Sequence, residues 1–90
     1  MDTQIKDSIN IRETSRVSFL DVNDRKFGAL ELFVNGELSQ VIIAQLAQPG
    51  QEIPPVIQAA DEAVLREKYR KEGYRGRITF DTSAFYEIVG

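Results

Sequence analysis

The basic and aromatic residues between positions 66 and 77 are the side chains of this sequence best suited to bind a charged partner. This segment contains six cationic and two acidic residues, which gives a local charge of +4 in a chain of net charge −3. Tyr69 and Tyr74 are interleaved with the cations. Arg and Tyr are enriched at protein interfaces, and cations with aromatic platforms also hold single-stranded nucleic acid. The candidate partner-binding residues are Tyr69, Arg70, Lys71, Tyr74, Arg75 and Arg77.

The same segment also has a purely structural explanation. Cations collect at the negative end of a helix dipole, Gly73 is a typical helix stop, and tyrosine rings are often half-buried with the hydroxyl in water. An acidic chain repels polyphosphate everywhere outside this segment, which favours a protein partner. Binding of single-stranded nucleic acid or another phosphoanion through segment 66–77 is therefore the alternative.

The absence of two residue types limits the catalytic and metal-binding chemistry that this chain can perform. The chain has no Cys and no His, which excludes disulfides, thiolate nucleophiles, Ser-His-Asp triads and Cys- or His-ligated zinc. Asp21 and Asn23 have the spacing of the first calcium-loop ligands, but Lys26 stands where such a loop needs glycine. The adjacent carboxylates Asp61 and Glu62 are expected to be solvated on a helix. The sequence predicts no enzyme, no cofactor and no metal site.

Two β-rich runs, 27–34 and 37–46, flank Asn35-Gly36, the pair that best forms a type I′ turn. The sequence therefore predicts a β-hairpin in which the residue numbers of each cross-strand pair add up to 71. The predicted pairs are Phe33 with Leu38, Ala29 with Ile42, and Leu30 with Val41.

Both faces of this hairpin carry apolar side chains, which makes it a second candidate interface. Large exposed apolar patches usually mark binding surfaces. Segment 41–46 is also uncharged, so an open edge there would favour strand addition or a homodimer. The alternative is that these residues belong to the core. The candidate interface residues are Leu30, Leu32, Val34, Val41 and Ile43.

The remaining elements follow from local patterns. Apolar residues alternate at positions 9, 11, 17 and 19, which indicates one or two strands, and residues 21–26 form a turn cluster in which Asn23 and Asp24 tolerate left-handed conformations. A helix is predicted from about Pro55 to Glu72, with Ile57, Ala60, Val64 and Leu65 on one stripe, and a strand over 77–80. Segment 81–90 fits both helical and strand periodicity. This β-β-β-α-β order predicts an α+β fold, a small antiparallel sheet of three to four strands with one main helix on one face.

Length and composition indicate one domain spanning residues 1–90. The chain is 42% hydrophobic and 28% charged, as in ordinary globular proteins. Residues 1–8 are expected to be frayed, and 47–54 to be a Pro/Gly connector. No apolar run fits a membrane span and the start lacks a signal-peptide pattern, so we expect a cytoplasmic protein. These features together predict a small accessory, adaptor or inhibitor protein that binds a larger protein, with self-association as a further expectation.

Overall fold

The computed structural model describes residues 11–47, 50 and 56–89. Its elements are β1 (Glu13–Val22), β2 (Arg25–Val34), β3 (Glu37–Gln45), α1 (Ala59–Lys71), β4 (Arg77–Phe80) and α2 (Thr82–Val89). The α+β class and the predicted order of strands and main helix are confirmed. Residues 1–8, the proposed strand position Ile9, Pro55 and most of segment 47–54 lie outside the described residues.

The four strands form one sheet in the order β1-β2-β3-β4. β1, β2 and β3 are antiparallel neighbours, whereas β4 runs parallel to β3. The sheet is therefore mixed and not wholly antiparallel as predicted. The reason is the crossover: the chain passes through α1 before it returns, which is the connection that parallel neighbours require.

Two tight turns join the antiparallel strands, as the sequence predicts. Asn23 and Asp24 have φ angles of 51° and 66°, and Asn35 and Gly36 have φ angles of 52° and 85°. These left-handed conformations are the ones that Asn, Asp and Gly tolerate best. Local residue chemistry is sufficient to place both hairpins.

The register of the second hairpin differs from the prediction. Phe33 lies opposite Leu38 as expected, but the ladder shifts by one residue beyond this pair, so that Leu30 faces Ile42 and Ala29 faces Ile43. Ser39 is the additional residue of this β-bulge. Because side chains alternate between faces, the shift moves each later β3 side chain to the opposite face from the predicted one.

The sheet has two faces, each packed against one helix. The α1 face carries the larger buried cluster, and the α2 face carries a smaller one. The larger cluster contains Val22, Phe27, Ala29, Val41, Ile43, Ile57, Leu65 and Tyr69. The smaller cluster contains Leu30, Ile42, Ala44 and Phe85.

The buried stripe of the α1 region differs from the predicted one. Ile57, Asp61, Leu65 and Tyr69 are buried, whereas Val64 is 48% exposed. These buried positions are four residues apart, as expected for one face of a helix. α1 also begins at Ala59, after the predicted start, and Gly73 with φ of 96° follows its end as expected.

Segment 82–89 is a helix, which resolves the two alternatives that periodicity leaves open. The Asp81 carboxylate accepts a hydrogen bond from the Ala84 amide at 3.0 Å, which caps α2. The Phe85 ring then packs over Gly28 of β2. A Cβ atom at Gly28 would lie only 2.8 Å from the Phe85 ring, so this close approach requires glycine.

Candidate protein-binding surfaces

A buried ion pair fixes the start of α1 to the sheet. Asp61 is fully buried and accepts hydrogen bonds from the Arg25 guanidinium at 2.6 and 2.9 Å and from the Asn23 amide at 2.8 Å. The hydrogen bonds from Arg25, followed by that from Asn23, hold the pKa of Asp61 below its usual range. The prediction that Asp61 is solvated is therefore wrong, because its charge is compensated inside the fold.

A second buried carboxylate, Glu31 of β2, fixes the end of α1. The Tyr69 hydroxyl donates to Glu31 Oε2 at 2.5 Å, and Arg16 Nε donates to Glu31 Oε1 at 2.8 Å. Burial, and then the bond to Glu31, raises the pKa of Tyr69 well above its usual value. Only 1% of Tyr69 is exposed, so its ring is unavailable as a platform for a partner or a base.

Both buried carboxylates have structural partners and lie away from the open clefts. The clefts at the end of α1, along its outer side, beside Phe80 and beside Asn35 are lined by other residues. Within the described ranges, no group of three or more His, Cys, Asp or Glu side chains is placed to hold a metal. The two networks therefore serve to anchor α1 on the sheet.

Half of the cations in segment 66–77 are paired with carboxylates of the same helix. Lys68 lies 2.7 Å from Glu72, Arg70 lies 3.5 Å from Glu67, and Arg66 lies 4.0 Å from Glu62. Such exposed pairs are weak, but each is locally close to neutral. Over residues 11–47, 50 and 56–89, Lys71, Arg75 and Arg77 form no ion pair.

Tyr74 connects the loop after α1 to the β-bulge of β3. Its hydroxyl lies 2.6 Å from the Arg77 carbonyl and 3.2 Å from the Ser39 carbonyl, so the phenol donates toward both. Burial raises the pKa of Tyr74. A side chain at Gly76 would overlap the Tyr74 hydroxyl, so this turn also requires glycine. Tyr74 is half-buried and positions the turn that carries Arg75.

An open cleft of about 430 Å³ lies between this loop and the start of β3. Acidic Glu37 and Glu72 line it together with Arg75, so its charge is mixed. A phosphate backbone is bound by a groove of uniformly positive charge. The helix end therefore brings together only Tyr74 and Arg75 of the candidate residues, beside two carboxylates. Lys71 lines a different cleft on the outer side of α1, and Arg77 alternates with Ile78 and Phe80, so it points to the α2 face of the sheet.

The five hairpin residues of the second candidate interface do not form one patch. Val41 and Ile43 are buried under α1, and Leu30 is buried beneath α2. Leu32 is half-buried, and Val34 lies at the end of β2 with part of its surface exposed. The bulge causes this separation, because it turns Val41 and Ile43 away from Leu30. β3 also lies between β2 and β4, so segment 41–46 is not an open edge.

Five of the eight exposed large apolar residues in the described part of the chain lie on the α2 face or on α2 itself, and Ile11, Val56 and Val64 lie outside this set. Phe19 of β1 is 73% exposed, and Ile88 of α2 is 59% exposed. Half-buried Val17 and Leu32 lie beside them on the same sheet face. We name this set the outer apolar surface, and its residues are Val17, Phe19, Leu32, Val34, Tyr86, Ile88 and Val89.

Sequence reasoning did not identify Phe19 as a surface residue, because alternation indicates a strand but not whether its apolar face is covered. Phe19 lies opposite Gly28, which has no side chain to cover it. The Phe85 ring of α2 occupies the space over Gly28 on this same face, and Phe19 still remains 73% exposed. A glycine within a β-rich run is the sequence feature that could have indicated this arrangement.

No protein-family model matches the chain, and no significant match is found among the curated proteins or the solved structures. No helix among the described residues has the length and apolar character needed to cross a membrane. The surfaces of the molecule are therefore the basis for assigning a function.

Proposed function

We propose that this chain is a non-enzymatic protein-binding module, an accessory, adaptor or inhibitor protein that occupies a surface of a larger protein. The observation that carries the proposal is the outer apolar surface, with Phe19 at 73% exposure. Removal of apolar area from water is favourable by about 25 cal/mol per Å² before the costs of association, and aromatic anchors contribute strongly to interfaces. Phe19 is the residue that we assign as the main anchor.

The surroundings of Phe19 support this assignment. Glu13, Ser15 and Asp21 are on the same face of β1 as Val17 and Phe19, because they alternate along the strand. Protein interfaces typically have an apolar centre within a polar rim. A rigid strand also presents Phe19 with little loss of conformational entropy on binding.

The alternative, binding of single-stranded nucleic acid, has weaker support. Tyr69 is buried, and Glu37 and Glu72 share the cleft with Arg75. Lys71, Arg75 and Arg77 are the remaining cations that could contact phosphates. The alternative predicts binding that weakens steeply with salt and whose salt slope flattens in an Arg75→Ala, Arg77→Ala double variant.

Differential capture tests the proposal. Tagged wild type, Phe19→Thr and Val64→Thr are used to isolate proteins from cells that produce this chain. Val64 is the matched control, since it is an exposed apolar residue on the outer side of α1. We expect at least one protein to bind wild type and Val64→Thr and to be reduced about tenfold with Phe19→Thr, because loss of an anchor costs about 1.4 kcal/mol or more.

Two outcomes would contradict the proposal. The first is an identical set of captured proteins with all three baits. The second is binding of a short single-stranded oligonucleotide that depends on Arg75 and Arg77 but not on Phe19, which would support the alternative.

A further inference from the structure

β1 presents an open backbone edge along its full length. It is the outermost strand of the sheet and pairs only with β2 among the residues that the structure describes. The Arg12 carbonyl accepts the Asn35 amide at 2.8 Å, so even-numbered residues point their backbone groups toward β2. Backbone groups alternate in an antiparallel pair, and the amides and carbonyls of Ser15, Val17 and Phe19 therefore point outward.

This edge lacks the features that usually prevent strand pairing. β1 is ten residues long, contains no proline, and pairs with β2 without a bulge. Arg16 is the one charged residue in its central part, 14–20. The opposite edge, β4, has only four residues. Long regular edges with apolar residues readily pair with another strand, whereas short edges do not.

We propose that the β1 strands of two copies of this chain pair antiparallel about a two-fold axis at Ser18. In this arrangement Val17 lies opposite Phe19 of the second copy, and Ser15 lies opposite Asp21 of the second copy. The two four-stranded sheets then form one continuous sheet. The outward amides and carbonyls of β1 become paired, and each exposed Phe19 gains an apolar neighbour.

Charge and polarity select this register from its neighbours. Two residues that pair across strands project from the same side of the sheet. A continuous sheet therefore permits only registers that differ by steps of two residues. A shift of two residues in one direction places Glu13 opposite Asp21 of the second copy. A further shift of two residues places the two Arg16 side chains opposite each other. One step in the other direction pairs the two Phe19 rings, but it places Val17 opposite Asp21 on both sides of them and so leaves two charges beside apolar side chains. Like charges opposite each other destabilise a pair, whereas aromatic and β-branched pairs stabilise it.

A second copy fits this edge better than an unrelated strand because the register is self-complementary. Each Val17–Phe19 contact occurs twice about the axis, as in the isologous interfaces of two-fold dimers. The dimer uses the β1 part of the outer apolar surface, so it rests in part on the proposed function. Strand side chains project from the face of a sheet and not from its edge, so the dimer leaves Phe19, Val34 and the exposed residues of α2 accessible to a larger protein partner.

Cysteine cross-linking tests the register directly, because the chain contains no cysteine of its own. Ser18 lies opposite its own copy in a pair without backbone hydrogen bonds, where Cα atoms are about 4.5 Å apart. Ser15→Cys is the matched control. In the proposed dimer each Ser15 lies opposite Asp21, six residues along the strand from the other Ser15, so the two Ser15 residues are about 20 Å apart. We expect mild oxidation to give a covalent dimer with Ser18→Cys and at least tenfold less with Ser15→Cys. Equal cross-linking of both variants, or none with either, would overturn the proposal.

Sedimentation equilibrium provides a second measurement without a cysteine. Ser15→Pro removes one outward amide and leaves the β1–β2 hydrogen bonds intact, so circular dichroism should be unchanged. We expect wild type and Val34→Thr to have twice the chain mass of 10.2 kDa, and Ser15→Pro to dimerise at least tenfold more weakly. A wild type that stays at 10.2 kDa over the whole concentration range overturns the dimer.

The failures of the two proposals are distinguishable. A monomeric wild type that still captures a protein through Phe19 would retain the proposed function and remove the dimer. A dimer whose captured proteins are unchanged by both Phe19→Thr and Val34→Thr would retain the dimer and remove the larger partner.

Discussion

The two faces of the sheet are built from alternate residues of the same strands, yet they are covered very differently. On the α1 face, a 13-residue helix contributes buried Leu65 and Tyr69 and is anchored by two buried carboxylates. On the α2 face, an eight-residue helix contributes one buried side chain, Phe85. Stability therefore comes mainly from the α1 face, and the α2 face retains apolar surface that can serve for binding.

The difference follows from how each helix is held. α1 carries Asp61 and Tyr69 at positions that meet Arg25 and Glu31 of the sheet, so polar bonds fix its orientation as well as its packing. α2 is held at its start by the Asp81 amide, which donates to the Ile43 carbonyl, and by Thr82 Oγ1, which accepts from the Gln45 amide at 3.3 Å. Beyond this first turn it depends on the fit of Phe85 into the space over Gly28. Buried polar networks cost desolvation but define one geometry, whereas a single apolar contact leaves the rest of a helix exposed.

Removal of a buried side chain from the α1 face should have the largest effect on stability. Leu65→Ala should lower the free energy of unfolding by about 2–5 kcal/mol, because it leaves a cavity between α1 and the sheet. The measurement is urea denaturation followed by circular dichroism. Val64→Ala, at the neighbouring exposed position, is the control and should change the free energy by less than about 0.5 kcal/mol. Equal effects at positions 64 and 65 would contradict this assignment of the helix faces.

A methyl group at Gly28 should weaken the α2 face specifically. Gly28→Ala forces the Phe85 ring to shift and should cost about 1–3 kcal/mol as an overpacking substitution. Hydrogen exchange should increase in α2 and remain unchanged in α1. The double variant Gly28→Ala, Phe85→Leu should recover part of the loss, since Leu is smaller than Phe. A double variant less stable than both single ones would show that the contact with Phe85 is not the cause.

The bond between Tyr69 and Glu31 should contribute less than Leu65 and should depend on pH. Tyr69→Phe removes a donor from a buried carboxylate and should cost about 1–3 kcal/mol at neutral pH. The folded-state pKa of Tyr69 is raised, so the folded state holds this proton more tightly than the unfolded state. Its contribution is complete below the unfolded pKa of about 10 and is lost progressively as the pH rises above that value.

Denaturation of wild type and Tyr69→Phe at pH 8 and at pH 11 measures this dependence. We expect the stability of wild type to fall more steeply between these pH values than that of Tyr69→Phe. Tyr74→Phe is the control, because the pKa of Tyr74 is also raised by burial but its hydroxyl bonds backbone carbonyls. Parallel pH profiles for wild type and Tyr69→Phe would show that Tyr69 ionises equally in the folded and unfolded states.

The parts of the fold that the sequence predicts are those set by neighbouring residues. Asn35-Gly36 determines its turn locally, and Asn23 and Asp24 do the same. The bulge at Ser39 is different, because its carbonyl is held by the hydroxyl of Tyr74, which lies 35 positions away. Sequence patterns do not contain such a contact, and the predicted register failed at that point.

The candidate surfaces show the same limit. Composition identifies the cations and tyrosines of segment 66–77 but not which of them are neutralised or buried. Tyr69 is buried where its hydroxyl bonds Glu31, a residue that the predicted register placed opposite Gln40 and that instead lies opposite Val41. Phe19 lies opposite a glycine on the next strand and remains 73% exposed. The first outcome depends on a pair 38 residues apart, whereas the second depends on the register of a hairpin.

The smallest effect on stability should come from the residue with the largest role in binding. Phe19→Thr keeps a β-branched residue on β1 and removes an aromatic ring that is already mostly in water, so the free energy of unfolding should change by less than about 0.5 kcal/mol. The measurement is the same urea denaturation used for Leu65→Ala, at low protein concentration so that self-association does not contribute. A loss as large as that of Leu65→Ala would mean that Phe19 belongs to the core of the monomer, and the contrast between the two faces would then fail. A small loss, together with loss of partner capture, would show that binding and folding depend on opposite faces of one sheet.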